Sequence, residues 1–387
     1  MTLAAYDGTN APTVKVQFLK SGTWTDVLSA DTRQVHYTRG RQRPDLSIDP
    51  GRATIVLDNH SGIYDPDYTS ASTWVVSGAS ILNAGLQMRV VLTWSGTSYV
   101  TYTGIMESPD VDAGFDANVT FTFIDHLAQI SAVTLKALPS YQHNLETTAA
   151  RVGRILTAAG FTGTTSLSGT LQMQSTTEGL NALTLIGQCV DAQAGAFYIS
   201  RTGVATLIQH TDKFSRPTQL FFDDLQSTNS IEYDNIKTQP GILQLVNRAI
   251  ITRGKLKQKT STYQPSVTKW GVTRTKEVEA LLANDVNAQN LAAFYARKNA
   301  NYDATGLPAN KWTTVSQIDF CALALGALYP DFLACELFDQ VRVHRLTVDG
   351  RSLTMYLVIE GMDINITPDD WRCTFYTSPM NPYRMTI

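Results

Sequence analysis

Apolar and polar residues alternate with period two through Val119-Thr120-Phe121-Thr122-Phe123, the pattern of a strand with one face in a core. Arg52 to Leu57 and Met88 to Trp94 are β-branched runs bounded by Gly, Asp and Asn, and they predict two further strands. Trp94 is followed by Ser95-Gly96-Thr97-Ser98 and then Tyr99 to Tyr102, a hairpin with a short glycine-containing turn. Residues 1–135 therefore read as an antiparallel β-domain.

The period then changes. Leu145, Ala149, Val152, Leu156 and Ala159 recur at steps of three and four, which predicts one face of a helix, with Asn144 placed to cap its start and Gly160 its end. Leu183, Ile186 and Val190 mark a second helix over Leu180 to Ala192. Phe197 to Ile199 and Val204 to Ile208 form a hairpin around a turn from Ser200 to Gly203, so residues 136–212 read as a small α/β domain. Strand patterns return in 213–387, at Gln244 to Thr252, Val341 to Arg345, Leu353 to Glu360 and Arg372 to Tyr376. Asp349-Gly350 between two of them predicts a tight type I′ turn, and Ala288, Leu291, Ala292 and Tyr295 predict a helix inside this second β-rich domain. The fold class is mainly β, with antiparallel barrel or sandwich domains and an α+β insertion of helices and a hairpin.

Composition narrows the function classes. Hydrophobic residues make up 43% of the 387 and charged residues only 17%, below the ~25% usual in soluble domains, so packed cores are expected and disorder is not. A net charge of -3 gives no electrostatic footprint for nucleic acid or an anionic membrane. The longest apolar run, Phe320 to Tyr329, is too short to span ~30 Å of hydrocarbon, and the amino terminus has no basic segment leading into an apolar one. We therefore expect a soluble protein without stable membrane insertion. That run continues through Phe332 to Phe338 and reads either as core or as a loop packed on a partner. Cys189, Cys321, Cys335 and Cys373 lie in separate segments with no C-x-x-C pair, and we expect reduced, mostly buried thiols.

Tyr37-Thr38-Arg39-Gly40-Arg41 leads to Pro50-Gly51-Arg52-Ala53-Thr54, then to Leu57-Asp58-Asn59-His60-Ser61-Gly62-Ile63-Tyr64-Asp65-Pro66. Met88-Arg89-Val90, Thr93 to Gly96, Leu245-Val246-Asn247-Arg248, Ser266 to Gly271 and Glu360 to Pro379 follow. In this order the segments resemble minor tail proteins of long-tailed, siphovirus-like phages infecting actinobacteria. His60-Ser61 and Phe338-Asp339 depart from that pattern. The resemblance implies tail-tube-like β-domains and the hub of a tail tip or baseplate, made in the bacterial host cytoplasm and carried at the distal end of the virion tail. It implies a homotrimer with two tube-like domains per subunit, a geometry that lets a trimer meet a hexameric ring. The implied partners are the tube-end ring protein, the carboxyl end of a tape-measure protein and other minor tail or fibre proteins. Since the chain stops at Ile387, no fibre, lectin or hydrolase segment is expected after the hub.

The candidate site residues are those of the motifs: Arg39, Gly40, Arg41, Gly51, Asp58, Asn59, Gly62, Asp65 and Pro66. The arginines read as a subunit contact, or as a solvated loop with one intramolecular pair to the Asp58 or Asp65 region. Gly51, after Pro50, is expected at a turn with positive φ. The oxygen-rich segment Asp58 to Asp67 reads as turn structure or as a calcium loop without the EF-hand pattern. The six histidines show no metal-binding spacing, and no nucleophile elbow, phosphate loop or dinucleotide fingerprint is present. His210-Thr211-Asp212 stands alone. No enzyme site, metal or cofactor is predicted. The alternatives are a tail-borne cell-wall or polysaccharide hydrolase, and a carbohydrate-binding tip adhesin using Trp24, Trp74, Trp270 or Trp312.

Overall fold

The computed structural model describes residues 8–380 apart from 45, 113–116, 137–144, 176–178, 226, 241–244, 254–256, 299, 301–312, 324, 347–349 and 351. Most strands join one large, predominantly antiparallel sheet of 13 strands. Its amino-terminal part holds Thr13–Lys20, Thr23–Asp26, Thr32–Gly40, Arg52–Asp58, Gln87–Trp94, Thr97–Val111 and Asn118–Ile124. Its carboxyl-terminal part holds Thr218–Asp223, Asn235–Pro240, Thr313–Cys321, Gln340–Leu346, Ser352–Ile366 and Trp371–Pro379. The two parts meet where Ile366 to Gly361 pairs antiparallel with Val35 to Gly40. The strand Ser352–Ile366 serves both sides of this junction, since it also pairs with Gln340–Leu346 and Trp371–Pro379.

Period-two patterning fixes which side chains enter the core. Asn118–Ile124 buries every second residue, and Val119, Phe121 and Phe123 are all fully buried. Phe18 meets Phe121 edge-on, with ring centroids 5.8 Å apart, and Trp74 closes the same cluster at 5.3 Å. The core runs without interruption into the carboxyl-terminal part, where Phe222, Phe320, Phe332, Phe375 and Trp371 pack together. The apolar run from Phe320 is thus core: Phe320, Ala322, Tyr329, Phe332, Leu333, Leu337 and Phe338 are buried.

A second apolar cluster belongs to the insertion. It unites the helices Thr148–Ala158 and Ala182–Gln193, the hairpin Ala196–Ile199 with Ala205–Ile208, and the helix Asp285–Lys298. The last of these packs on a three-stranded sheet ordered Lys257–Thr262, Arg248–Arg253, Thr275–Glu279. Mainly antiparallel β structure with an α+β insertion is the observed class.

Local expectations differ from the structure in informative ways. Thr147 caps the first long helix by accepting from the Ala150 N–H at 3.2 Å; Asn144 lies outside the described residues. Leu145 has φ 66° and is 53% exposed, so it precedes the helix and contributes nothing to its buried face. Gly160 does end that helix, with φ 76°, while Phe161 N–H returns to the Leu156 carbonyl at 2.9 Å. In the second helix the buried face is Ala182, Leu185, Ile186, Cys189 and Ala192, one step away from the Leu183/Val190 stripe. The Trp94 hairpin is tighter than its sequence suggests: Trp94 pairs with Thr97, and Ser95 and Gly96 alone form the turn. At the Gly350 hairpin the last described pair is Leu346 with Ser352, and the expected turn at Asp349 lies outside the described residues. The strand expected from Gln244 begins at Arg248, and Gln244 itself also lies outside them.

Candidate functional site

Arg39, Gly40 and Arg41 sit at the junction of the two sheet parts. Strand alternation sends Arg39 inward, where it is 6% exposed, pairs with Glu336 and donates to the Ile199 carbonyl at 3.1 Å. Glu336 also accepts the Arg201 backbone N–H at 2.9 Å. One ion pair thereby ties the amino-terminal strands, the inserted hairpin and the carboxyl-terminal segment together. Arg41 pairs with fully buried Glu360 at 2.7 Å and donates to the Leu46 carbonyl at 2.9 Å. Burial works to raise the Glu360 carboxyl, but Arg41 and Lys213 outweigh it and Ser378 donates to it at 2.6 Å, holding it down to about 2. Arg201 and Arg216 complete the junction, donating to the Leu333 carbonyl at 2.8 Å and to Asp339 at 2.9 Å.

The glycines make this approach possible. Gly40 has φ 83°, and a Cβ on it would run into the Glu360 carbonyl and sit 2.8 Å from Gly361 Cα. A Cβ on Gly361 would in turn sit 2.9 Å from the Arg41 nitrogen. Two glycines paired across strands let the backbones meet where the arginines cross. Neither arginine pairs with the Asp58 or Asp65 region; their carboxylate partners come from the far end of the chain.

Gly51 is required for a different reason from the one its sequence suggests. It does not have positive φ; a Cβ there would lie 2.8 Å from Asp125 Oδ2 and 3.1 Å from the Thr38 carbonyl. Asp125 accepts from Gly51 N–H at 2.8 Å and caps the helix His126–Ser131 through Leu127 N–H at 2.9 Å. Burial pushes its carboxyl up to about 7 despite these donors.

The oxygen-rich segment folds as a turn whose acceptors are turned onto the protein itself. Asp58 pairs with Arg33 and His60, which hold its carboxyl down to about 2. Asn59 is buried and accepts from Tyr64 N–H at 3.0 Å; Gly62 has φ 72°; Asp65 accepts from Asp67 N–H at 2.8 Å; Pro66 is half-buried. Tyr64 is buried and donates to Asp31 at 2.7 Å.

Sequence reading missed one constellation. Among the described residues, Asp223, Asp224 and His344 bring three potential metal-ligand atoms within 4.8 Å of one another. These groups are engaged internally: Asp223 meets His344 Nδ1 at 2.8 Å, accepts from Leu225 N–H at 2.9 Å and is bonded by Ser227, and Asp224 accepts from Leu346 N–H at 2.7 Å. The pairing of Thr218–Asp223 with Gln340–Leu346, which joins them, is parallel and long-range, so no local spacing announces it. His210 stacks edge-on against Phe294 at 5.0 Å, and Asp212 closes a capping box with Gln209. Of the candidate platform tryptophans, Trp74 is buried, Trp24 lies under the Arg89 guanidinium at 4.5 Å, Trp270 is half-buried, and Trp312 lies outside the described residues. Among the described residues, no helix is long and apolar enough to cross a membrane.

No protein-family model and no curated protein matches the sequence. Solved structures do match its fold. The tail protein from Neisseria meningitidis MC58 superposes with a TM-score of 0.62 at 10% identity, over 95% of this chain and 96% of that one. The 43 kDa tail protein of prophage MuSo2 from Shewanella oneidensis gives 0.60 at 10% identity, over 96% of this chain and all of that one. At this identity the likeness is one of fold, and it extends end to end in both comparisons.

Proposed function

We propose that the protein is a structural subunit of a phage tail, the hub of the tail tip or baseplate. The observation that carries this reading is the end-to-end match of its fold to two tail proteins, one of them from a prophage. The junction supports it. Buried ion pairs between static carboxylates and arginines lock the two sheet parts into one body, as a load-transmitting assembly unit needs, and they offer no reacting group. The function is then binding, without chemistry.

In this reading each subunit contributes two tube-like β units, the amino-terminal and carboxyl-terminal parts of the large sheet. Three subunits present six such units to a hexameric tube-end ring above. The tape-measure carboxyl end and distal tail or fibre proteins complete the contacts, and the virion carries the assembly at the far end of a siphovirus-like tail. Permanent interfaces of this kind bury upwards of ~2,000 Å² each. Mass photometry of the purified chain should give a species of three copies, and a cryo-electron map of the tail should place three at its tip. One or six copies in both measurements would overturn the trimeric hub.

A further inference from the structure

A cavity of about 300 Å³ opens beside the junction, between the helix Ala182–Gln193, the segment after Arg41 and the end of the helix Asp285–Lys298. It continues toward a wider cleft of about 670 Å³ along the edge strand Thr275–Glu279. Four basic side chains from four separate elements line it, Arg41, Lys213, Lys276 and Lys298, together with Asp191, and the Glu360 carboxylate behind them faces Arg41, Lys213 and Lys298. Lys213 is 1% exposed, with its ammonium 4.4 Å from the Phe338 ring centroid. Burial pulls the Lys213 ammonium well below its ordinary range, against the attraction of Glu360, so a second anion in this low-dielectric space would favour the charged form. Leu183, Val190 and Phe197 add apolar wall to the same lining.

Gly187 points the same way independently. It lies inside the helix Ala182–Gln193, where glycine is disfavoured relative to alanine. No atom lies within 4 Å of the position its Cβ would take, so packing does not demand a glycine. It lines both the cavity and the cleft. A side chain there would stand in the opening, and glycine leaves it clear.

We infer that this cavity binds a carboxylate carried on an aliphatic body, the chemistry of an acidic side chain of a partner polypeptide or of a free organic acid. The lysines take the charge, with Arg41 held on Glu360, and the apolar wall around Leu183 takes the carbon skeleton. Inorganic phosphate would leave that wall uncovered. The groups facing Lys298 are Glu360, Arg41 and Lys276; burial first, then the two cations, bring its ammonium down to about 7, against the pull of Glu360. An arriving anion restores the proton, so binding above neutral pH takes protons up. The inference rests on this cavity and is independent of copy number.

Isothermal titration calorimetry of the full chain at pH 8, in two buffers of different ionisation enthalpy, tests it with three probes: glutarate, inorganic phosphate and the peptide acetyl-Leu-Glu-Asp-Leu-amide. Saturable binding of glutarate or the peptide with net proton uptake is expected. Lys298→Met should weaken it about tenfold or more, the scale of a lost charge-assisted bond, and reduce the uptake, the remainder belonging to Lys213. Gly187→Leu should block binding while leaving the melting temperature unchanged or higher, which separates occlusion from misfolding. Binding of the peptide alone assigns a polypeptide partner; equal binding of glutarate assigns a free acid. No binding by either, phosphate binding as tight as glutarate, or full affinity in Gly187→Leu would overturn the assignment.

Discussion

Arg39 and Asp125 show what single side chains carry in this fold. Truncating Arg39 strands Glu336 in a largely dry environment, and losing one partner of a buried pair costs about 3–5 kcal/mol. Lys15 pairs with Asp26 at 2.7 Å with both side chains about two-fifths exposed, and such pairs are worth about 0.2–1 kcal/mol. Urea denaturation should therefore rank Arg39→Ala far below Lys15→Ala in stability. Asp125 sets a pH dependence. Its folded carboxyl titrates at about 7, above the ordinary carboxylate value of ~3.9, so between these values the folded state holds a proton that the unfolded state has released. Its contribution is fully present below the lower value and is lost as pH rises toward 7. Denaturation midpoints measured at pH 5 and pH 8 should fall with pH, and Asp125→Asn should flatten that difference. Gly51→Val should be strongly destabilising through collision with Asp125, even though φ is ordinary there. The sequence marks these glycines and arginines as unusual by type and spacing. It cannot name Glu336, Glu360 or Asp125 as partners, because those arrive through pairings across the whole chain.

Among elements, strands were legible wherever one face is core and one is wet, as in Asn118–Ile124 and Arg52–Asp58. The three long helices were legible to within a turn, whereas short ones such as His126–Ser131 and Gln264–Trp270 were not; the ends of the long ones were not legible either, since Thr147 rather than Asn144 caps one and Leu145 only looks periodic. The hairpin at Trp94 invites a test. Ser95 and Gly96 have φ of 46° and 79°, both positive, as a two-residue type I′ turn requires. Asparagine is favoured over serine at the first of these positions. Ser95→Asn should raise stability by roughly 0.5 kcal/mol, readable as a higher denaturation midpoint, and Ser95→Val should lower it because a β-branched residue resists left-handed backbone.

For the molecule as a whole, the β-rich class and the inserted helices and hairpin followed from patterning, while the joining of the two sheet parts into one surface did not. That joining depends on Gly361 lying opposite Gly40 and on side-chain bonds such as Gln34 to Asn365, 331 positions apart. No local period encodes such a contact. The same separation orders events during synthesis. When the ribosome has released the strand Thr32–Gly40, its partner on one side, Arg52–Asp58, is soon available; the partner on the other, Ser352–Ile366, follows only after the insertion and most strands of the carboxyl-terminal part. Until that strand emerges the nascent chain thus carries an unclosed strand edge, the kind that recruits other strands. Synthesis rate and chaperone supply, more than intrinsic stability, will then set how much of this polypeptide reaches its native form when it is overproduced.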